Sequence, residues 1–289
     1  MARIAILADI HGNRAALEAV FADLDEVDAD EVLVAGDLVG RGPEGTWVVE
    51  QVVERGWRTL RGNHEDYVLN FKRRAVPDDW HTLERWAASR FMGEELSDDA
   101  AAWIDTLPPA LLAHAAPGVR LVHGSPDSYN EGLGPWTPDD DLRRHLAGLD
   151  ERVLVCAHTH RPMARRVDDA LVVNTGSVGL PFNRDPRAQY VVLDDSTGRW
   201  VAHARAVDYD RNATRAAYRA TGFLEAGDST AALLLHELDA ATSYLVPFLK
   251  WADRLGLAGA LCDVPDFLSA FDPMEPLERW LDRAAPVTR

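Results

Sequence analysis

Lysine is nearly missing from this chain. Lys72 and Lys250 are the only two among 30 basic residues, and 47 acidic residues bring the net charge to −17. A surface so short of positive charge is unsuited to general nucleic-acid or anionic-membrane binding, which needs cations to displace counterions. It does not exclude a small phosphate ester, because a few local cations override the global sign. Scarce lysine beside abundant arginine reads as coding bias rather than chemistry. Cysteine is equally scarce. Cys156 and Cys262 cannot build a disulfide framework, and Cys156, set in an apolar run, reads as a small core residue. No run of about 18 apolar residues exists to span a membrane. The opening "MARIAILADIHGN" has too brief an apolar stretch and no processing site for a signal peptide. A reducing cytoplasm is the expected location.

What is present is a large core-forming fraction: 289 residues, 47% hydrophobic, with nine tryptophans. That suits one large domain with an appendage, or two modest ones. Short apolar runs alternate with helical patterns in the first half. "RIAILAD" (3–9), "EVLVAGD" (31–37) and "WRTLRGN" (57–63) read as strands. Between them Leu17, Val20, Phe21 and Leu24 recur at helical spacing, and a second helix near 44–55 stops at Gly56. Strand–helix–strand repeats imply parallel strands.

Residues 66–110 show helices but no strand. "VRLVHGS" (119–125) and "RVLVCAH" (152–158) resume the sheet, separated by a helix with Thr137 as its expected N-cap. "ALVVNTGS", "AQYVVLD" and "WVAHARAV" then follow without helices and read as an antiparallel meander. The domain expectation is therefore residues 1–209, followed by a helical extension over 210–289 packed on it. Leu234, Leu238, Ala241 and Leu245 form one apolar stripe of that extension, and Phe248, Trp251 and Leu255 form another. It carries no chemical motif and reads as packing or as a contact between copies.

Five strands end in polar residues able to bind metal: Asp9 with His11, Asp37, Asn63 with His64, His123, and His158 with His160. One such pair is weak evidence, since an imidazole at a strand end is more often a hydrogen-bonded core residue. Five strand ends pointing the same way are different, because open α/β sheets bind ligands beyond the carboxyl ends of their strands. Alternation along a strand aims His158 and His160 to one side. The set mixes nitrogen and oxygen donors without a thiolate. It suits two borderline divalent transition metals, manganese first, with iron, nickel or zinc as alternatives.

In chain order, "DIHGN" (9–13), "GDLVGRGP" (36–43), "GNHE" (62–65), "VHGSP" (122–126) and "AHTHRP" (157–162) resemble the calcineurin-like metallophosphoesterases. "NTGSVGLP" and "DPRAQYVVLD" extend the likeness toward the small bacterial phosphodiesterase-like branch. The resemblance implies a two-sheet β-sandwich with helices on both faces. It implies that Asp9, His11 and His160 hold one metal and Asn63, His123 and His158 the other, with Asp37 bridging. It makes His64 the proton donor and Arg41 a phosphate clamp. Gly40 stands where protein phosphatases and dinucleoside tetraphosphatases carry an Asp that orients the catalytic His, and Ala157 stands where Gly is usual. Asp66 is a candidate to orient His64, and Arg161 and Arg187 are candidates to meet a phosphate.

The expected activity is hydrolysis of a phosphate mono- or diester of a small, nucleotide-like or other compound. Alternatives are a protein serine/threonine phosphatase, a dinucleoside polyphosphate hydrolase or, from another class, a non-catalytic metal-binding module. The expected partner is the small substrate alone, with neither nucleic acid nor membrane, and the C-terminal helices are available for self-association.

Overall fold

The strand β1 (Arg3–Leu7) is buried on both faces: Ile4 and Ile6 on one, Ala5 and Leu7 on the other, none of them exposed. A strand without a solvent face belongs at the centre of a layered structure, and that is its place in the computed structural model, which describes residues 1–284. The chain continues through α1 (Arg14–Leu24), β2 (Glu31–Val34), α2 (Gly45–Glu54), β3 (Arg58–Thr59) and α3 (Asn63–Lys72). After two short 3₁₀ turns come α4 (Ala87–Glu95), α5 (Asp98–Ile104), β4 (Ala110–Leu112), β5 (Val119–Val122), α6 (Asp139–Leu146) and β6 (Val153–Cys156). The last strands are β7 (Met163–Val167), β8 (Ala170–Asn174), β9 (Ala188–Asp194) and β10 (Val201–Val207). Helices α7 (Arg211–Ala220), α8 (Phe223–Ala226), α9 (Asp228–Ala240), α10 (Leu245–Leu255), α11 (Val264–Ala270) and α12 (Leu277–Arg283) complete the described chain.

Two five-stranded sheets result, ordered β10-β9-β1-β2-β3 and β4-β5-β6-β8-β7. Ile4, Ile6 and Leu33 of the first meet Leu121, Val155 and Val173 of the second in one apolar layer. Ala5 and Leu7 face the other way, onto Leu17, Val20, Val48 and Val52 of the covering helices. Val122, Leu154 and Val172 on the outer face of the second sheet pack with Leu142 of α6. The fold is thus a two-sheet sandwich flanked by helices on both faces, with a helical C-terminal region, as expected.

Three local expectations are corrected. The meander does not form: β8 pairs parallel with β6 in the second sheet, while β9 pairs antiparallel with β1 in the first, and of the three expected strands only β9 and β10 pair with each other. The strand β7, unread in the sequence, pairs antiparallel with β8, and its "MARRV" buries Met163 and Val167, leaves Arg165 half-buried and exposes Ala164 and Arg166. Thr137 does not cap α6. Its hydroxyl accepts the Gly134 N–H at 2.9 Å, and the residue at the cap position is Pro138.

Tyr218, Phe223, Leu234 and Leu238 of the C-terminal helices lie in the same cluster as Leu7 and Leu17. Farther along, Phe248, Trp251, Phe267 and Trp280 build a separate small core among α10, α11 and α12. Pro247 lies in the first turn of α10, where a missing N–H costs nothing, so the helix starts before it.

Candidate metal centre and active site

In the first sheet β1, β2 and β3 run parallel, and in the second β5 and β6 do. Each of these strands stops short of the polar residues that follow it. Strand β6 ends at Cys156, so alternation along a strand is not what aims His158 and His160. Both lie past the end in left-handed backbone, at φ 65° and 56°. Asp9, His11, Asp37 and Arg41 are also left-handed, so these six make up half of the twelve such non-glycine residues described. Each costs on the order of 1 kcal/mol or more, and strain of this kind collects where the surrounding fold holds a functional geometry.

The structure brings all seven expected ligand residues together. Asp9, His11 and His160 offer ligand atoms within 4.8 Å of one another, and Asp37, His123 and His158 form a second such group. The Nδ1–H of His11 donates to the Val39 carbonyl at 3.2 Å, and that of His123 to the Ala35 carbonyl at 2.8 Å. His160 donates in the same way to the Leu180 carbonyl. A carbonyl only accepts, so each of these contacts leaves Nε2 as the inward nitrogen. His11 Nε2 and His160 Nε2 then stand 3.1 Å apart. Asp9 Oδ1 lies 3.5 Å from His160 Nε2 and 3.9 Å from His11 Nε2, buried and, among the described residues, without a hydrogen-bond partner. On the other side Asn63 Oδ1 receives His123 Nε2 at 3.0 Å and His158 Nδ1 at 2.9 Å, with Asp37 Oδ2 3.3 Å from His123.

Charge in the site follows from burial and proximity. Burial pushes His11 down to about 3 and His158 down to about 4, and holds His64 and His160 well below the ordinary imidazole value. Neutral imidazole is the form that binds metal. Burial also opposes protonation of His123, but the Asp37 and Asp9 carboxylates outweigh it and push the group up to about 10. Burial raises Asp9. It works the same way on Asp37, where His123, His64 and His11 overcome it and hold the carboxyl well below its usual range. Two neutral lone pairs facing each other beside an orphaned carboxylate oxygen are uncompensated as they stand. A divalent cation among them satisfies all three, so the residues present fit a metal ion.

Glu65 carries a role that the sequence reading did not give it. Its fully buried carboxylate accepts the N–H groups of Asp37 at 2.9 Å, Leu38 at 2.7 Å and Gly62 at 2.7 Å. It thereby ties the loop after β2 to the start of α3 and sets the position of Asp37. Burial and the neighbouring Asp37 push it up to about 7. The signal was legible: Glu at the third position of a helix commonly reaches back to the N-cap N–H. Gly62 is required beside it, since a Cβ there would lie 2.2 Å from Asp37 Oδ1.

Gly40 has a similar reason. Its φ is +81°, and a Cβ would come within 2.5 Å of His64 Nδ1, so a larger residue at this position would have to displace the His64 ring. Arg41 meets the other ring nitrogen, and as a donor, its Nε donating to His64 Nε2 at 3.3 Å. Arg41 Nη1 pairs with Glu237 at 3.1 Å, and among the described residues Nη2 has no hydrogen-bond partner. Glu237 comes from α9 and is wholly buried, its other oxygen accepting the N–H groups of Tyr244 and Leu245. Tyr218 of α7 adds a hydrogen bond to the Arg41 carbonyl at 2.9 Å. The C-terminal helices therefore reach into the site, a role beyond the packing or contact between copies expected of them. No sequence-local signal marks Glu237.

The remaining candidates are engaged with other groups. Asp66 pairs with Arg61 and accepts the Tyr129 hydroxyl rather than orienting His64. Arg187 is committed to Asp185, and Arg161 donates to the Phe182 carbonyl with its guanidinium over the Trp136 ring.

Residues 2–198 match the model of the calcineurin-like phosphoesterase superfamily domain. A metallophosphoesterase of known structure from Sphaerobacter thermophilus is 26% identical, covers 83% of this chain and 99% of its own, and superposes with a TM-score of 0.67. A hypothetical protein from Pyrococcus horikoshii shares the fold at a TM-score of 0.71, with 19% identity over 84% of this chain and 100% of its own. An uncharacterized protein of Methanocaldococcus jannaschii is 24% identical over 212 residues, which is 66% of this chain and 82% of that one.

Proposed function

The chain belongs to the calcineurin-like phosphoesterase superfamily and hydrolyses phosphate esters, and from that premise we propose a dinuclear site acting on a small phosphorylated compound. In this reading Asp9, His11 and His160 hold one divalent ion, Asn63, His123 and His158 the other, and Asp37 is shared. The observation that carries it is the pair of inward imidazole nitrogens of His11 and His160, 3.1 Å apart beside the orphaned Asp9 oxygen. The mixed nitrogen and oxygen donors suit manganese, iron, nickel or zinc, and manganese is the ion we propose. Such ions, when bound, polarise phosphoryl oxygens and make water a nucleophile near neutral pH.

The chain's own groups do the rest. Arg41 has one guanidinium nitrogen uncommitted, placed to meet a phosphoryl oxygen with a charge-assisted hydrogen bond. His64 lies beside both metal groups, with its ring edge-on to His11 at 4.8 Å between centroids. It is the group available to pass a proton to the departing oxygen. The acidic surface argues for a small substrate and against nucleic acid.

Metal analysis of the purified protein, joined to a hydrolysis screen with Mn²⁺, tests this reading. Close to two ions per chain and release of phosphate, or of a phosphomonoester from a diester, are expected. A single ion at full activity would overturn the dinuclear assignment.

A further inference from the structure

Beside His64 and Arg41 opens a cavity of about 330 Å³ that the chemistry above does not use. One wall comes from the segment after α3, where the Trp80 and Trp86 rings stack at 4.0 Å and Phe71 lies against Trp80. The facing wall is the C-terminal region, through Leu234 of α9 and Leu245 and Leu249 of α10. Tyr67 and Val246, both exposed, stand where the cavity reaches solvent. The space holds about ten atoms of water size, at roughly 30 Å³ each.

We propose that this cavity receives the alcohol part of the substrate, and that the alcohol is an apolar alkyl or aryl group. The proposal rests on the phosphoesterase reading above and names its substrate class. Position argues for the alcohol: Arg41 and His64 form the end of the cavity that adjoins the metal groups, so a phosphoryl group held there directs its ester oxygen and carbon chain inward. Lining argues for an apolar one. The wall is mostly apolar, through Phe71, Trp80, Trp86, Met92, Leu234 and Leu249. Of its polar groups, the Thr230 hydroxyl donates to the Arg85 carbonyl and the Arg85 guanidinium bonds Asp253 and the Leu249 carbonyl, which leaves Asn70, Ser89 and Arg85 Nε. A nucleobase could stack on the tryptophans, but its polar edge would lose its hydrogen bonds to water with few replacements, an outcome such sites reject. In the reaction, water's oxygen joins phosphorus, the bond from phosphorus to the alcohol oxygen breaks, and the alcohol leaves carrying one of water's protons.

The test uses the full chain loaded with Mn²⁺ and a series of n-alkyl phosphates from methyl to octyl, with adenosine monophosphate beside them. Burying each methylene multiplies kcat/KM by about four until the cavity fills. The octyl ester should therefore exceed both the methyl and the adenosine ester by at least a hundredfold. Val246→Trp, at the exposed rim, should cut the octyl-to-methyl ratio at least tenfold. Octylphosphonate, which is not hydrolysed, should change the tryptophan fluorescence of the unaltered protein and compete with substrate. A flat series with active enzyme and unchanged fluorescence overturns the cavity assignment and leaves the phosphoesterase reading standing. Preference for the adenosine ester overturns the apolar occupant. No hydrolysis of these monoesters, nor of the matching alkyl and nucleoside phosphodiesters, by protein carrying both metals overturns the functional reading, and this proposal falls with it.

Discussion

At the scale of single residues the site is a problem of holding groups that repel or exclude one another. Asp37 stands within 3.3 Å of His123 and 3.7 Å of His11, and accepts the His64 N–H at 2.8 Å. Asp37→Asn keeps the shape but removes the charge both metal groups share. We expect it to lose most of the bound metal together with activity, measured by elemental analysis and phosphate release. Retention of both ions and full turnover would remove the shared-ligand assignment. His64→Asn should instead leave the metals in place. General acid help is worth roughly 10²–10⁴ in rate, and it matters most when the leaving group is an alkoxide. An alkyl ester should lose that much, and a nitrophenyl ester far less, because nitrophenolate departs without a proton. Equal losses would assign His64 to stabilising charge on the phosphoryl group.

At the scale of elements, α9 acts on the site through one buried carboxylate. Glu237 fastens the start of α10 by two backbone N–H groups and Arg41 by its remaining oxygen. Removing its charge leaves Arg41, 13% exposed, short of its partner. A hydrogen bond between charged groups of this kind is worth about 1.5–3 kcal/mol. Glu237→Gln should therefore weaken product inhibition by phosphate and raise KM about tenfold, with metal content unchanged. Arg41→Ala should do the same more strongly. Because both act through one guanidinium, the double variant should lose little beyond Arg41→Ala alone. Additive losses would mean that Glu237 only stabilises the fold.

At the scale of the whole molecule, metal binding and stability are one quantity, since a ligand that binds only the folded chain stabilises it. Free metal at 100 times its dissociation constant adds about 2.7 kcal/mol per site. Chelation should then lower the melting temperature by several degrees, and Mn²⁺ should restore it. An unchanged melting temperature on removal of the metals would show that the site is held by the protein alone.

The same scale separates what the sequence settled from what it left to the fold. The polar residues that gather beyond the strand ends, and the sandwich, were legible because each depends on a short segment: an apolar run, a turn, then Asp, Asn or His in a recurrent order. Glu65 was legible too, from its place three residues after Gly62, though it went unread. The pairing partners of β7, β8 and β9 were not. Strand sequences such as "ALVVN" and "AQYVVLD" state how deeply they are buried, not which sheet buries them. Nor were the roles of Glu237, of Gly40 and of the cavity beside His64. Each is a contact between segments far apart in the chain: Glu237 meets Arg41 across 196 positions. Local patterns record what a residue does for its own element, whereas a buried ion pair or a cavity wall exists only once the elements are packed.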